Sequence, residues 1–441
     1  MNLPSKDDDS DAVRRQPTAI EAELAQELDH LPKMEQLRTT QDIEGKNILA
    51  AAEPNKLVRL GLDALERRIQ EKLRITNEAS LVALLQNPFA KDRQLRLKML
   101  RAENFDSERA LKRLINFLAM LKELLADSNN HGDELRPLEL NKDFVSAERD
   151  RQNLGALQLL LFRDQAGRRV AGCFDVETPS LFRVGNSESS LLKEAFYLLQ
   201  KASEDETTQK EGLVFVFNIL SASSSIVTGS LTSILGRLFQ NGPLRIAAVH
   251  VCSPNTPEMN NASAAVIRQL DRRDRIKARF HHGTSWEYTK SLKQFGVPTD
   301  WLPTTQADGT VRNNYHKQWL AIQEAKEGPN FDSIECPYSL DILLGRGQIL
   351  QFHKGNISLR EEYIRDRYPQ YVAARNKQQK DAVLNQILDD LAAKKRRFLK
   401  QKEDNVGLWY EISRSEARSK LVTSFREHKR AMERKPTPFP T

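Results

Sequence analysis

LRIAAVHVCSP, residues 244–254, opens the stretch whose reading decides the fold. An apolar run of this length that stops at a proline predicts a strand buried on both faces. NTPEMNNASAAVIRQ follows from Asn255 to Gln269, with Met259, Val266, Ile267 and Leu270 spaced for one narrow apolar helix face. The stripe suits packing on a sheet. It has no aromatic residue and makes a poor membrane-insertion surface. IKARFHHG (276–283) then predicts a second strand, and SLKQFGVPTDWLP (291–303) a short tail closed by prolines. Strand, helix, strand and tail in that order can close a cavity.

Working outward, GLVFVFNIL (212–220) is another apolar strand, leaving Phe215 and Phe217 on one face, two residues apart. LQLLLFRDQAGRRVAGCFDV (157–176) predicts two strands around an Asp164–Gly167 turn. Helical spacing covers 189–202 and 226–239, so helices alternate with strands and predict an α/β lobe with a mixed sheet. Upstream, 55–73 predicts an amphipathic helix with Leu57, Leu60, Leu65 and Ile69 near one face, and 78–86 a shorter one before Pro88. Residues 92–125 predict two helices around a turn at Glu103–Asp106, with Asp106 as N-cap. Residues 127–155 predict a loop.

The phrase Met99-Leu100-Arg101-Ala102, followed by Asn104-Phe105-Asp106 through Ala110-Leu111, resembles the opening of CRAL-TRIO lipid-binding domains. The ending Phe295-Gly296-Val297-Pro298 with Trp301-Leu302-Pro303 is similar to the close of the same family, and His282-Gly283 also fits. Asn218 stands where the family strand ends in Asp. The resemblance spans about 57–306. It implies a helical N-terminal lobe (57–126) before a mixed-sheet α/β lobe (154–306), with a gate helix at 255–269 over an apolar pocket. Phe215, Phe217, Ile246 and Ala248 would then line the floor, and Met259, Val266, Ile267 and Leu270 the lid. The implied ligand is a hydrophobic small molecule or phospholipid, with at most peripheral membrane contact. No cofactor is implied. Burying a lipid chain gains ~0.8 kcal/mol per methylene, so such a pocket needs no reactive side chain.

Composition agrees with a non-enzymatic chain. GxSxG, HExxH, CxxC and a strand-borne GxGxxG are all missing, and Ser221–Ser225 has no base nearby in sequence. His281 and His282 point to opposite faces of one strand and cannot jointly hold a metal. Cys173, Cys252 and Cys336 are odd in number and far apart, which predicts free thiols and a cytoplasmic, or nuclear, location. The longest apolar run falls short of the ~20 residues of a membrane helix. Residues 1–56 predict a disordered extension with some helical spacing (Ile20, Leu24, Leu28, Leu31), and 307–335 a linker carrying a short helix at 315–326.

Residues 331–441 hold 22 Lys/Arg against 15 Asp/Glu, which is the whole excess of the chain; residues 1–330 hold 45 of each. Within 336–430, SLDILLGRGQILQFHKGN (339–356) resembles the start of a short uncharacterised domain frequent in microalgal proteins. Arg397-Phe398-Leu399 and Trp409-Tyr410-Glu411-Ile412 match its later phrases. The residues predict a separate small α+β domain ordered glycine loop, helix (357–368), helix (377–393), strand, Gly407 turn, strand, helix (415–429), with 431–441 a tail. Candidate contacts to an anionic partner, with nucleic acid ahead of a plain solvated face and acidic lipid third, are Gly345, Arg346 and Gly347 as a backbone nest, His353, Asn356, and the run Lys394, Lys395, Arg396 and Arg397. Arg414, Arg418, Arg426, Lys429 and Arg430 extend the positive face. The alternative to lipid binding is a protein–protein adaptor with an empty, degenerate fold.

Overall fold

The computed structural model describes residues 18–45, 53–126, 135–174, 188–218, 225–299, 302–303, 311–328, 333–345, 350, 353–402 and 408–433, without the side chains of 225–232. Arg346, Gly347, Trp301, Ser221–Ser224 and the Gly407 turn lie outside the described residues.

Two helices begin the described chain, α1 (Ala19–Asp29) and α2 (Lys33–Glu44), on either side of Pro32. The helical lobe follows as α3 (Asn55–Ile75), α4 (Ala79–Gln86), α5 (Arg93–Ala102) and α6 (Ser107–Ala126). Leu65 and Ile69 of α3 are buried as predicted, whereas Leu57 and Leu60 are exposed. The α5–α6 turn explains its sequence. Asn104 and Phe105 both adopt left-handed φ (54° and 65°), and the Phe105 amide returns to the Leu100 carbonyl at 2.7 Å. Phe105 packs against Gly61, where a Cβ would meet its ring. Asp106 accepts from the amides of Glu108 and Arg109, capping α6.

Between 135 and 155 the chain forms α7 (Leu140–Asp143) and α8 (Ser146–Leu154) rather than a loop. Its polar residues are spent on internal bonds, such as Arg136 to Asp143 at 2.7 Å and the Glu148 carboxylate accepting from the Val145 amide at 3.0 Å. Then come β1 (Leu157–Arg163), β2 (Arg169–Cys173), α9 (Glu188–Ala202), α10 (Glu206–Glu211), β3 (Leu213–Asn218), α11 (Ser225–Asn241), β4 (Ile246–Ser253), α12 (Pro257–Arg268), α13 (Arg272–Arg275), β5 (Ala278–His282), α14 (Ser285–Gln294) and α15 (Asn314–Lys326). The sheet runs β1-β2-β3-β4-β5, antiparallel at β1–β2 and parallel elsewhere, so it is mixed as the pattern predicts. Gly167, at φ 86°, makes the β1–β2 turn. Strands added in one direction by right-handed crossovers place all crossover helices on one face. Accordingly α9, α11 and α12 share one core with Phe215, Phe217, Val249 and Phe280, and the other face packs α14 and the 295–303 tail on Val214, Val216 and Cys252. With both faces covered, every position of β2, β3 and β4 is buried.

Two predicted boundaries change. Residues 18–45 are not a loose extension: Ile20 and Leu24 enter the main core, and Asp42 pairs with buried Arg245. Residues 307–335 are not a plain linker. α15 buries Trp319, Leu320 and Ile322, and Glu335 is buried with it. Hydropathy hides this seam because half of what it buries is polar.

The C-terminal part has its own core. β6 (Ile342–Leu344) leads to α16 (Lys354–Ser358), a π-helical turn at Leu359–Ile364, α17 (Arg365–Ala373), α18 (Lys377–Ala393), β7 (Phe398–Gln401), β8 (Trp409–Glu411) and α19 (Arg414–Glu433). β6 lies parallel to β7, and β7 antiparallel to β8. The predicted hairpin is present, and β6 is an added strand that its short length concealed. The first helix runs through Pro369 to Ala373 instead of stopping before it. Leu384, Ile387, Leu388 and Leu391 of α18 meet Ala417, Leu421 and Phe425 of α19 over this sheet.

Candidate functional site

The face of the five-stranded sheet beneath α11 and α12 carries Phe215, Phe217, Ile246, Val249, Val251 and Phe280. Phe215 and Phe217 have ring centroids 4.6 Å apart, and Phe215 meets Phe239 of α11 edge-on at 6.0 Å. α12 is fixed at its start by Thr256, whose hydroxyl accepts from the Met259 amide at 3.3 Å, and by Pro257 in its first turn. Its inward residues Met259, Val266 and Ile267, with Leu270 just beyond, are all buried in the same cluster as the aromatic floor. Seven of the eight residues predicted to line a pocket therefore gather on one side.

Ala248 does not. The β3–β4 register shifts between Leu213 opposite Ile246 and Val214 opposite Ala248, so one extra residue intervenes and Ala248 turns to the other face. A strict period of two from Ile246 fails across such a bulge.

The floor and lid belong to one buried cluster. Two cavities bounded by described residues, each about 20 Å³, lie elsewhere, one beside Leu160, Phe162 and Tyr315 and one beside Phe174, Asn218 and Thr299. Each has room for one water and none for a lipid chain.

Sequence reasoning missed two polar atoms on α12. The Ser263 hydroxyl and the Asn260 side-chain oxygen are buried without a hydrogen-bond partner. Ser263 is four residues after Met259 and four before Ile267, so helical spacing already marks it as inward-facing. A buried hydroxyl with no partner costs ~1–3 kcal/mol, which a polar ligand atom bonded to it would recover.

Across the sheet, His281 donates to or accepts from His250 (Nε2 to Nδ1, 3.0 Å) and from Ser291 (2.7 Å). Burial and the neighbouring His281 and Arg168 hold His250 well below the usual imidazole range, so it stays neutral. His282 turns the other way, to Ser253 at 3.0 Å. Burial pushes the Cys252 thiol up, away from thiolate chemistry.

In the C-terminal domain the predicted contact residues are mostly occupied. Asn356 accepts from the Leu343 amide at 2.8 Å and donates to the carbonyls of Leu343 and Leu350, pinning the loop after β6. Gly355 abuts the Asp341 carbonyl, which a Cβ would overlap. His353 is held below the usual range by burial. Gly345 is exposed just after β6. Arg396 donates to Ser358 at 2.6 Å, Arg397 chelates buried Asp341 (2.7 and 3.2 Å), and Lys394 reaches the Tyr363 hydroxyl at 3.0 Å. Lys395 alone of the four has its charge in solvent without a described partner, at φ 54°. These cations hold the domain together, so the run is not the open patch that its charge suggests.

The domain also leans on the sheet. Arg163, at the end of β1, pairs with Asp205 at 2.8 Å and donates to the Pro337 carbonyl at 2.9 Å. Its guanidinium lies 4.6 Å from the Tyr338 ring centroid, and that of Arg397 4.8 Å from the same ring. Glu335 accepts from Arg169 (2.7 Å), Trp319 (2.9 Å), Gln323 and Lys326 (both 2.8 Å). Burial would raise its pKa, but Arg169 and Lys326 outweigh that and hold it far below the carboxylate range.

A helical lobe, a mixed sheet with one aromatic face, and a helix over that face define the architecture. Against known proteins, residues 341–427 match a family described as a domain of unknown function (DUF6824). The chain is also similar to alpha-tocopherol transfer protein-like of Mus musculus, with 27% identity over 237 residues, 52% of this chain and 62% of that protein. The Homo sapiens and Pongo abelii proteins of the same name give 28% over the same shares. The chain thus spans about three fifths of the length of the relatives it matches. The solved structure of Sfh5 aligns with a TM-score of 0.33 at 14% identity, covering 69% of this chain and 98% of that one.

Proposed function

We propose that residues 57–326 form a CRAL-TRIO-like unit that binds an amphiphilic lipid between the aromatic sheet face and α12, without catalysis. The observation that carries this reading is the pairing of an aromatic floor with a lid whose inward face holds an unsatisfied hydroxyl. The ligand's chain would lie on Phe215, Phe217 and Phe280, and its polar end would bond Ser263 and Asn260. The likeness to alpha-tocopherol transfer protein-like proteins supports the same class of ligand. Since floor and lid share one buried cluster, loading requires α12 to lift. A chain of about ten methylenes would contribute ~0.8 kcal/mol per methylene against the cost of parting the two surfaces. Native mass spectrometry and solvent extraction of the purified chain test this: a stoichiometric lipid is expected, and a lipid-free protein that takes up none from vesicles refutes it.

A second role, contact of the C-terminal domain with an anionic partner such as nucleic acid, rests on Arg426, Lys429 and Arg430, exposed along the end of α19. Binding to DNA or RNA with a steep salt dependence, lost on replacing these three with Ala, is its expected signature. Salt-independent or absent binding counts against it.

A further inference from the structure

α1 meets the C-terminal end of the lid at Arg268, and α13 just after it. Ile20 and Leu24, four residues apart, are buried in the same cluster as Met259, Val266 and Ile267. On the neighbouring stripe Glu23 accepts from Arg268 Nε at 3.1 Å, and Glu27 takes Arg275 Nε at 3.0 Å as well as a terminal nitrogen of the same guanidinium. The Glu27 carbonyl accepts from Arg272 at 3.3 Å. An acidic helix edge therefore meets the basic edge formed by the end of α12 and by α13. Thr18 and Glu21 close a capping box that starts α1 at this point.

The two ends of this contact differ in kind. Arg273 of α13 is held by Glu103, itself buried and bonded to Arg113 at 2.7 Å, so the helical lobe is a fixed anchor. The α1 pairs are open to water: Arg268 and Glu23 are 51% and 39% exposed, and Arg275 and Glu27 25% and 18%. Two apolar side chains and solvent-screened pairs make a reversible fastening.

We propose that α1 is an autoinhibitory strap that pins α12 in the closed position over the aromatic floor, and that its release frees the lid. The gating consequence rests on the lipid reading above; the pinning itself does not. The test uses the full chain and the E23R/E27R variant, followed by two readouts. Hydrogen exchange of amides 258–268, without ligand, is expected to accelerate about tenfold in the variant, and in the wild type at high salt. Uptake of NBD-labelled phosphatidylcholine from phosphatidylcholine vesicles is expected to quicken to a similar extent. Adding R268E and R275E to the variant should restore slow exchange. Unchanged exchange in E23R/E27R, or no recovery on charge exchange, overturns the strap. Faster exchange with no lipid uptake by either protein upholds the strap and sinks the lipid reading. Should the variant not fold, the salt series on the wild type decides.

Discussion

The chain is fastened by carboxylates in two places, and the two are built differently. At the α15 seam Glu335 is fully enclosed and takes four donors from β2 and α15. At the lid, Glu23 and Glu27 of α1 meet arginines that water reaches. An enclosed carboxylate loses its solvation permanently and must keep every partner, so removing one is severe. A wetted pair trades protein contacts for water at little cost. The first makes a joint, the second a catch.

The largest expected effect breaks the joint. Glu335→Ala strands Arg169 beside Lys326, and a loss of ~3–5 kcal/mol is expected in urea unfolding. A loss below about 1 kcal/mol would put the seam in the same class as the lid contacts.

Next comes His316, stacked on Trp319 in the same seam and bonded to the Gln152 carbonyl at 2.9 Å. Burial lowers its pKa to about 4. The unfolded chain takes up a proton near pH 6.5 and the folded one only near 4, so this contribution is complete above 6.5 and drains away as pH falls between the two. The loss reaches ~3 kcal/mol. Burial lifts Glu194 to about 7, and its protonation acts in the opposite direction over the same range. The difference between wild type and His316→Gln isolates the histidine; identical pH profiles would refute the assignment.

A smaller effect separates ligand binding from packing. Ser263→Ala should leave thermal stability unchanged or slightly raised, since it removes an unpaired buried hydroxyl, while weakening lipid binding about tenfold. Reduced stability with unaltered binding would make Ser263 a packing residue only.

At the catch, Glu27→Ala should cost under about 1 kcal/mol globally. The Arg275 partner holds the Glu27 carboxyl below its ordinary value, so any pairing contribution is present above pH 4.5 and fades below it. A global loss rivalling that of Glu335→Ala would erase the distinction between the two fastenings.

Much of this architecture can be read from residue order. The apolar runs at 213–218 and 246–253 placed two neighbouring strands, and Gly167 marked the turn between β1 and β2. The spacing of Met259, Val266 and Ile267 identified the inward face of α12. What escaped depends on distance in space. Ala248 changed face because of a bulge that no local pattern announces. His250 found His281 only through the register of β4 on β5. Lys394–Arg397 looked like an open patch because sequence shows the cations and not Ser358, Tyr363 and Asp341, which lie 31 to 56 residues away. The α15 seam escaped because Glu335, Gln323 and His316 look solvent-loving until Arg169 and Trp319 enclose them.

Tyr338 has two guanidinium groups against its ring, Arg163 from the sheet and Arg397 from the C-terminal domain. Such a clasp resists swivelling, because turning the C-terminal domain pulls Tyr338 off Arg163 and breaks the Arg163–Pro337 bond in the same movement. Cargo held by the sheet and a polyanion held along α19 would keep a set bearing to each other, as on a bracket rather than on a leash.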